Sequence, residues 1–372
     1  MATTTQDPGN PDQAADPPPT VLEYARFSPD ELRERIRRRK AELGAVILGH
    51  NYQRTEIQAV SDYLGDSLGL SQEAAATDAE VIVFCGVHFM AETAKILSPG
   101  KTVLMPDLRA GCPMADFVTG GGLRRLKARL PGVRVVSYVN STAEVKAESD
   151  LCCTSANAVQ VVESFPREQP ILFVPDQNLA RYVAERTGRP YLTTTHLGER
   201  AEESLEPAAV IAWDGYCYVH DDLVLEELAD PRRRYPQAKV VIHPEARGEL
   251  LAQADFVSST SRMVEIAEGH DALLIGTERG LVDRLRQRFP GKTLIPLSGA
   301  AICGNMKMNT LAKLAWSLDH RNHEIVLDEG VRTRAERTLR RMLEPSGGWI
   351  APTAEEEALE LAGLRKPGCG CA

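Results

Sequence analysis

Three times along the chain an apolar, strand-like run ends in a short polar signature: His50-Asn51-Tyr52, Tyr138-Val139-Asn140 and His243-Pro244-Glu245. A small hydroxyl residue follows each at a similar distance: Ser67 is 17 residues after His50, Ser155 is 15 after Asn140, and Ser259-Thr260 begins 16 after His243. Another strand-like run then ends at Cys85-Gly86, Asp176-Gln177 or Thr277-Glu278, and each unit closes on a cysteine, Cys112, Cys217 or Cys303. From signature to cysteine the spans are 62, 77 and 60 residues, the middle unit being lengthened around Thr195–Pro207. Self-similarity at this scale predicts three copies of one unit.

Within the units the predicted strands are 45–48, 81–84, 103–105, 133–139, 171–174, 239–242, 272–275 and 293–296, with charged helical patterns such as 221–229 and 280–289 between them. Strands alternating with helices imply parallel sheets with helices on both faces. The expected fold is therefore α/β: three pseudo-threefold-related three-layer α/β/α domains with short parallel sheets around a central site. In parallel sheets ligands sit beyond the carboxyl ends of the strands, where the polar signatures fall. The expected boundaries are 21–108 (completed by C-terminal helices 304–345), 109–214 and 215–303. Residues 1–20, with five prolines and neither the basic start nor the apolar stretch of a signal peptide, are expected to be a disordered tail. Residues 346–372 are expected to be a second tail, in which Cys369 and Cys371 read as adventitious thiols, although such a pair could bind a metal or form a redox couple. Ser28, Pro29 and Glu31 have the spacing of a helix start with a capping box.

A formal charge of −9 and a pI near 5.5 argue against a general nucleic-acid binder. No apolar run approaches membrane-spanning length, and eight cysteines in 372 residues are too few for a disulfide scaffold. A cytoplasmic protein with scattered reactive or metal-binding thiols is the expectation. Cys85, Cys152 and Cys153 lie in or beside apolar segments and read as core. Cys112, Cys217 and Cys303 each sit in a Gly-containing turn after a strand, where glycine permits close backbone approach. Three such thiols could hold a zinc ion with an open position, or three irons of a 4Fe–4S cluster with the fourth free.

The blocks Gly49–Gln53, Asp66–Leu68, Cys85–Leu97, Tyr138–Asn140, Thr154–Ala158, Cys217–His220, His243–Glu245 and Ser258–Thr260 resemble the quinolinate synthase family of bacterial NAD biosynthesis. The resemblance runs from about Leu22 to Leu343. It implies a 4Fe–4S cluster held by Cys112, Cys217 and Cys303. The implied reaction condenses iminosuccinate with dihydroxyacetone phosphate to quinolinate, releasing phosphate and two waters. L-aspartate oxidase or aspartate dehydrogenase would supply the imine. Neither nucleic acid nor membrane is implied as a partner, and a homodimer is compatible with the resemblance.

Such anionic substrates need local hydrogen-bond donors. His50 and His243 can donate to carboxylate or phosphate oxygens and move protons near neutral pH. Ser67, Ser155, Ser259 and Thr260 suit anion sockets at helix starts. Asn140 can orient a carbonyl, and Tyr138 can stack on a planar ring. Val139 and Pro244 complete the substrate-binding signatures. Glu245 is the first choice for general acid/base and Tyr52 the second. His220 and Met306 are placed near the cluster, whereas His88, His196, His270, His320 and His323 read as structural. Two rival readings remain: a three-cysteine zinc hydrolase or aldolase, and a non-catalytic iron–sulfur redox sensor.

Overall fold

The computed structural model describes residues 20–197 and 207–344. All but Thr20 of the expected N-terminal tail and all of the C-terminal one, with Cys369 and Cys371, lie outside these residues, as does most of the lengthened stretch of the middle unit.

The first sheet has strands β1 (Ala45–His50), β2 (Tyr63–Gly65), β3 (Val81–Cys85) and β4 (Thr102–Leu104), in the order β2-β1-β3-β4. The second has β5 (Arg134–Tyr138), β6 (Leu151–Cys153), β7 (Ile171–Val174), β8 (Tyr191–Thr193) and β9 (Val210–Ala212), in the order β6-β5-β7-β9-β8. The third has β10 (Lys239–Ile242), β11 (Phe256–Val257), β12 (Ala272–Gly276) and β13 (Thr293–Pro296), in the order β11-β10-β12-β13. Every pairing is parallel. The same four-strand order recurs three times, and the middle sheet adds β8 at its edge. The fold is thus the expected α/β architecture of three short parallel sheets flanked by helices.

Strands buried on both faces read as continuous apolar runs, yet their side chains still alternate between two sides. Ile82, Phe84, Val136, Phe173, Val241 and Ile275 belong to one apolar cluster that runs through all three sheets. Their neighbours Ile47 and Val83, Val135 and Leu172, and Val240 and Leu274 enter three separate clusters, one for each sheet. The shared cluster joins the units, and the separate ones seat their flanking helices. In the first unit those helices are Pro29–Leu43 and Leu311–His320, which pack on each other. Helix Glu329–Leu343 packs on β6 and helix Ala143–Ala147 of the second unit and also on helix His88–Leu97 of the first.

Helix Pro29–Leu43 starts as its sequence suggests. Ser28 accepts from the Glu31 N–H, Glu31 accepts from the Ser28 N–H at 2.7 Å, and Pro29 stands at the first turn. The helix expected over 221–229 differs: it is two helices, Tyr218–Asp221 and Glu226–Arg234. The chain breaks between them where Leu223 turns inward to join the third sheet's separate cluster. Tertiary burial there outweighs local helical periodicity.

Candidate active site

The topology brings equivalent strand ends together. After β1, β5 and β10 come His50-Asn51-Tyr52, Tyr138-Val139-Asn140 and His243-Pro244-Glu245; after β3, β7 and β12 come Gly86, Asp176 and Thr277; after β4, β9 and β13 come the three cysteines. One cavity is lined from all three units by His50, Tyr52, Ser67, Tyr138, Asn140, Ser155, His243, Glu245 and Thr260, with Cys112, Cys217, Cys303, His220 and Met306. Leu68, Val87, Phe89, Met90 and Met114 supply apolar wall. Ser67 and Thr260 are first residues of their helices, and Ser155 lies in the turn just before helix Ala158–Glu163.

Not every sequence candidate reaches the cavity. Ser259 stands just before helix Thr260–Gly269 and lines an outer groove instead. Val139 and Pro244 are buried but are not among the lining residues. Val139 instead donates its N–H to the Cys153 carbonyl at 2.8 Å. Cys85, Cys152 and Cys153 are wholly buried in apolar clusters, and His88, His270, His320 and His323 stand away from the cavity. The side chain of His196 lies outside what is described. The outer groove shares Asp66, Leu68 and Ser155 with the cavity and is also lined by Arg186 and Arg262.

Glu245 is the hub. Its Oε1 accepts from the Tyr138 hydroxyl at 2.5 Å, and its Oε2 lies 2.7 Å from His220 Nδ1. Burial alone would push this carboxyl up, but the hydrogen bonds it accepts from His220 and Tyr138 hold it well below the usual carboxylate range. An ionised carboxylate only accepts, so His220 donates to it from Nδ1. Thr277 Oγ1 lies 2.9 Å from His220 Nε2, and the Tyr52 hydroxyl lies 2.7 Å from Thr277 Oγ1. The result is a buried chain from the Tyr52 hydroxyl through Thr277 and His220 to Glu245. Burial, and next the charge of Glu245, raise both Tyr52 and Tyr138 well above the usual tyrosine value, so both remain phenols.

His50 and His243 share a local device. The N–H two residues on, of Tyr52 and of Glu245, donates to Nδ1 of the histidine at 3.1 and 3.4 Å. Nδ1 is then the acceptor, and Nε2 carries the hydrogen. Burial keeps both imidazoles neutral, pulling His50 down to about 4 and His243 to about 3. Both are therefore neutral hydrogen-bond donors. Because His243 is neutral, the ionised state of Glu245 rests on its hydrogen bonds from Tyr138 and His220.

Asp176 is the residue that sequence reasoning missed most clearly. It is wholly buried, with Oδ1 accepting from the Leu179 N–H at 2.7 Å and Oδ2 left without a partner. Burial, and then the charge of Glu245, raise its carboxyl well above the usual value. Two neighbouring carboxyls are thereby driven apart, one ionised and one protonated. Asp176 and Thr277 both sit at repeat-defined strand ends, and that position is the signal that could have found them.

The three thiols fit a metal group by their chemistry. Burial raises all three, Cys112 to about 12, and each has another cavity thiol or the Glu278 carboxylate adding to the effect. Buried soft donors of this kind become thiolates only beside a positive centre. Among the described residues, the one group of three or more His, Cys, Asp or Glu donor atoms within 4.8 Å of one another is Cys217, His220 and Glu245. The three thiols are thus more widely spread. A single zinc ion with tetrahedral sulfur ligands needs sulfurs about 3.8 Å apart, from Zn–S bonds of about 2.3 Å. The loop of Cys303 is held by Glu278, which accepts its N–H at 3.1 Å and pairs with Lys307 at 2.9 Å. Of the three glycines beside the cysteines, only Gly215 is crowded: a Cβ there would lie 2.4 Å from the Pro175 carbonyl oxygen, whereas at Gly111 it would only just touch the Arg109 carbonyl oxygen and at Gly304 it would meet nothing.

A family model described as quinolinate synthetase A protein matches residues 34–344. A quinolinate synthase of Dehalococcoides mccartyi strain CBDB1 is 51% identical over 306 residues, covering 82% of this chain and 95% of that protein. One of Desulforudis audaxviator is 49% identical over 315 residues, covering 84% and 96%. One of Synechocystis is 44% identical over 326 residues, covering 86% and 96%. A Plasmodium falciparum hydroxymethylbutenyl diphosphate reductase, at 11% identity and a TM-score of 0.31 over 73% of this chain and 88% of that one, is too distant to inform the fold. With its fold, its lining residues and these relatives in agreement, the chain belongs to the quinolinate synthetase A family.

Proposed function

We propose that this chain is a quinolinate synthase of NAD biosynthesis, a cytoplasmic transferase that condenses iminosuccinate with dihydroxyacetone phosphate to quinolinate, phosphate and two waters. The observation that carries the reading is the ionised Glu245, bonded to Tyr138 and His220 in a cavity that three thiols also line. Cys112, Cys217 and Cys303 would hold a 4Fe–4S cluster, whose open iron supplies Lewis acidity toward a substrate oxygen.

The remaining work falls to the chain itself. His50 and His243 offer N–H donors to substrate carboxylate or phosphate oxygens without adding positive charge that would retain the product. Ser67, Ser155 and Thr260 add hydroxyl donors at helix starts. Asn140, whose Oδ1 is buried without a protein partner, is free to accept from a substrate N–H or O–H. Enolisation, imine formation and the dehydrations each take a proton from one atom and deliver it to another. Glu245 takes such a proton and returns it to the substrate, and Tyr138 and the Tyr52–Thr277–His220 chain hold the carboxylate in place while it does so. The apolar wall excludes water while this happens.

A zinc enzyme is the rival with an observation behind it, because Cys217, His220 and Glu245 are close enough to share an ion. Metal analysis of anaerobically purified protein separates the two. About four irons and four sulfides per chain, with broad absorption near ~400 nm, is the expected result. Stoichiometric zinc without iron would overturn the cluster assignment.

A further inference from the structure

Asn51 is wholly buried behind the cavity wall and joins two partners. Its Oδ1 accepts from the Arg284 guanidinium, and its Nδ2 donates to Thr260 Oγ1 at 3.0 Å. A guanidinium only donates, so the amide can face just one way, with its oxygen toward Arg284 and its NH₂ toward Thr260. The Thr260 oxygen is thereby committed as an acceptor. No other partner of its hydroxyl exists among the described residues, and Thr260 lines the cavity, so the hydroxyl hydrogen is left for whatever occupies it.

We propose that Arg284 and Asn51 are positioning residues that polarise the Thr260 hydroxyl as a fixed donor to an anionic oxygen, carboxylate or phosphate, of the bound substrate. The relay rests on the reading that the cavity takes anionic substrates. It sets hydrogen-bond direction, not merely shape. An aspartate at position 51 has nearly the same shape but would accept from both neighbours, turning the Thr260 hydrogen away from the cavity.

Calorimetric binding to cluster-replete protein tests this, with quinolinate as the carboxylate probe and inorganic phosphate as the phosphate probe. Asn51→Asp is expected to weaken whichever anion meets Thr260 by about ten- to a hundredfold, the range of one hydrogen bond to a charged group, and to spare the other. In a Thr260→Val background the same change should have almost no further effect, since it acts through the hydroxyl. Arg284→Met, which frees the amide to turn over, should weaken the same anion about two- to fivefold, and equally only when Thr260 is present; this variant carries the test if Asn51→Asp does not fold. Unchanged affinity for both anions, an equal loss in the Thr260→Val background, or no binding of either anion by the unaltered protein would overturn the relay. Absence of quinolinate synthesis alongside a Thr260-dependent loss of anion affinity would instead overturn the proposed reaction and leave the relay standing.

Discussion

The Tyr138 hydroxyl, at the end of β5, donates to Glu245 Oε1 just beyond β10 at 2.5 Å, so the buried carboxyl of one sheet is held by a phenol from another. Tyr138→Phe leaves a buried carboxylate with one fewer donor. The carboxyl should rise and turnover should fall about tenfold. Glu245→Gln, which keeps the shape and removes the base, should lower kcat by about 10²- to 10⁴-fold in protein with full iron content. Normal turnover by Glu245→Gln would refute the acid–base assignment.

Thr277 joins Tyr52 to His220. Thr277→Val keeps the side-chain volume and breaks the chain, so kcat should fall about ten- to a hundredfold with little change in KM. Thr277→Ser restores the hydroxyl and should recover most of the loss. Equal activity in both variants would mean that the hydroxyl only fills space.

The buried histidines make a prediction about acid. Their folded values lie near 4 and 3, against about 6.5 in an unfolded chain. Below about pH 6.5 the unfolded chain therefore binds more protons than the folded one. The stability contributed by each neutral imidazole is lost as pH falls toward the folded value, and rises with pH across that window. His50→Gln should flatten the pH dependence of the urea midpoint between pH 6.5 and 4, measured as a difference from the unaltered protein. An identical pH dependence would mean that His50 is solvated.

Cysteine variants separate ligands from core. Cys112→Ala, Cys217→Ala and Cys303→Ala are each expected to abolish cluster retention after anaerobic reconstitution. Cys85→Ala and Cys153→Ala should retain iron and sulfide and lose only packing, about 1 kcal/mol or more of stability at wholly buried positions. Iron counts and unfolding midpoints on the five proteins check both halves.

Much of this arrangement was legible because parallel strands deliver residues to one edge. The offsets linking His50 to Ser67 and Cys112 recur in the other units, and equal offsets on equal topology put equal residues around one centre. What stayed hidden has physical reasons. The strands β2, β6, β8, β9 and β11 are two or three residues long, too short for a period to register. Asp176 and Thr277 occupy the right positions, but an aspartate or threonine at a strand end resembles any helix cap, and Asp176 is one for helix Gln177–Thr187. Arg284 lies in a helix whose other arginines face outward, so only tertiary packing distinguishes it. Glycine beside each cysteine suggested close approach at all three, yet only Gly215 is crowded by the protein.

The most direct measurement is product formation by anaerobically reconstituted protein given iminosuccinate and dihydroxyacetone phosphate. Quinolinate and phosphate should form in equal amounts, with turnover lost in Glu245→Gln. A protein with full iron and sulfide content that makes no quinolinate from these two substrates would contradict the proposed reaction.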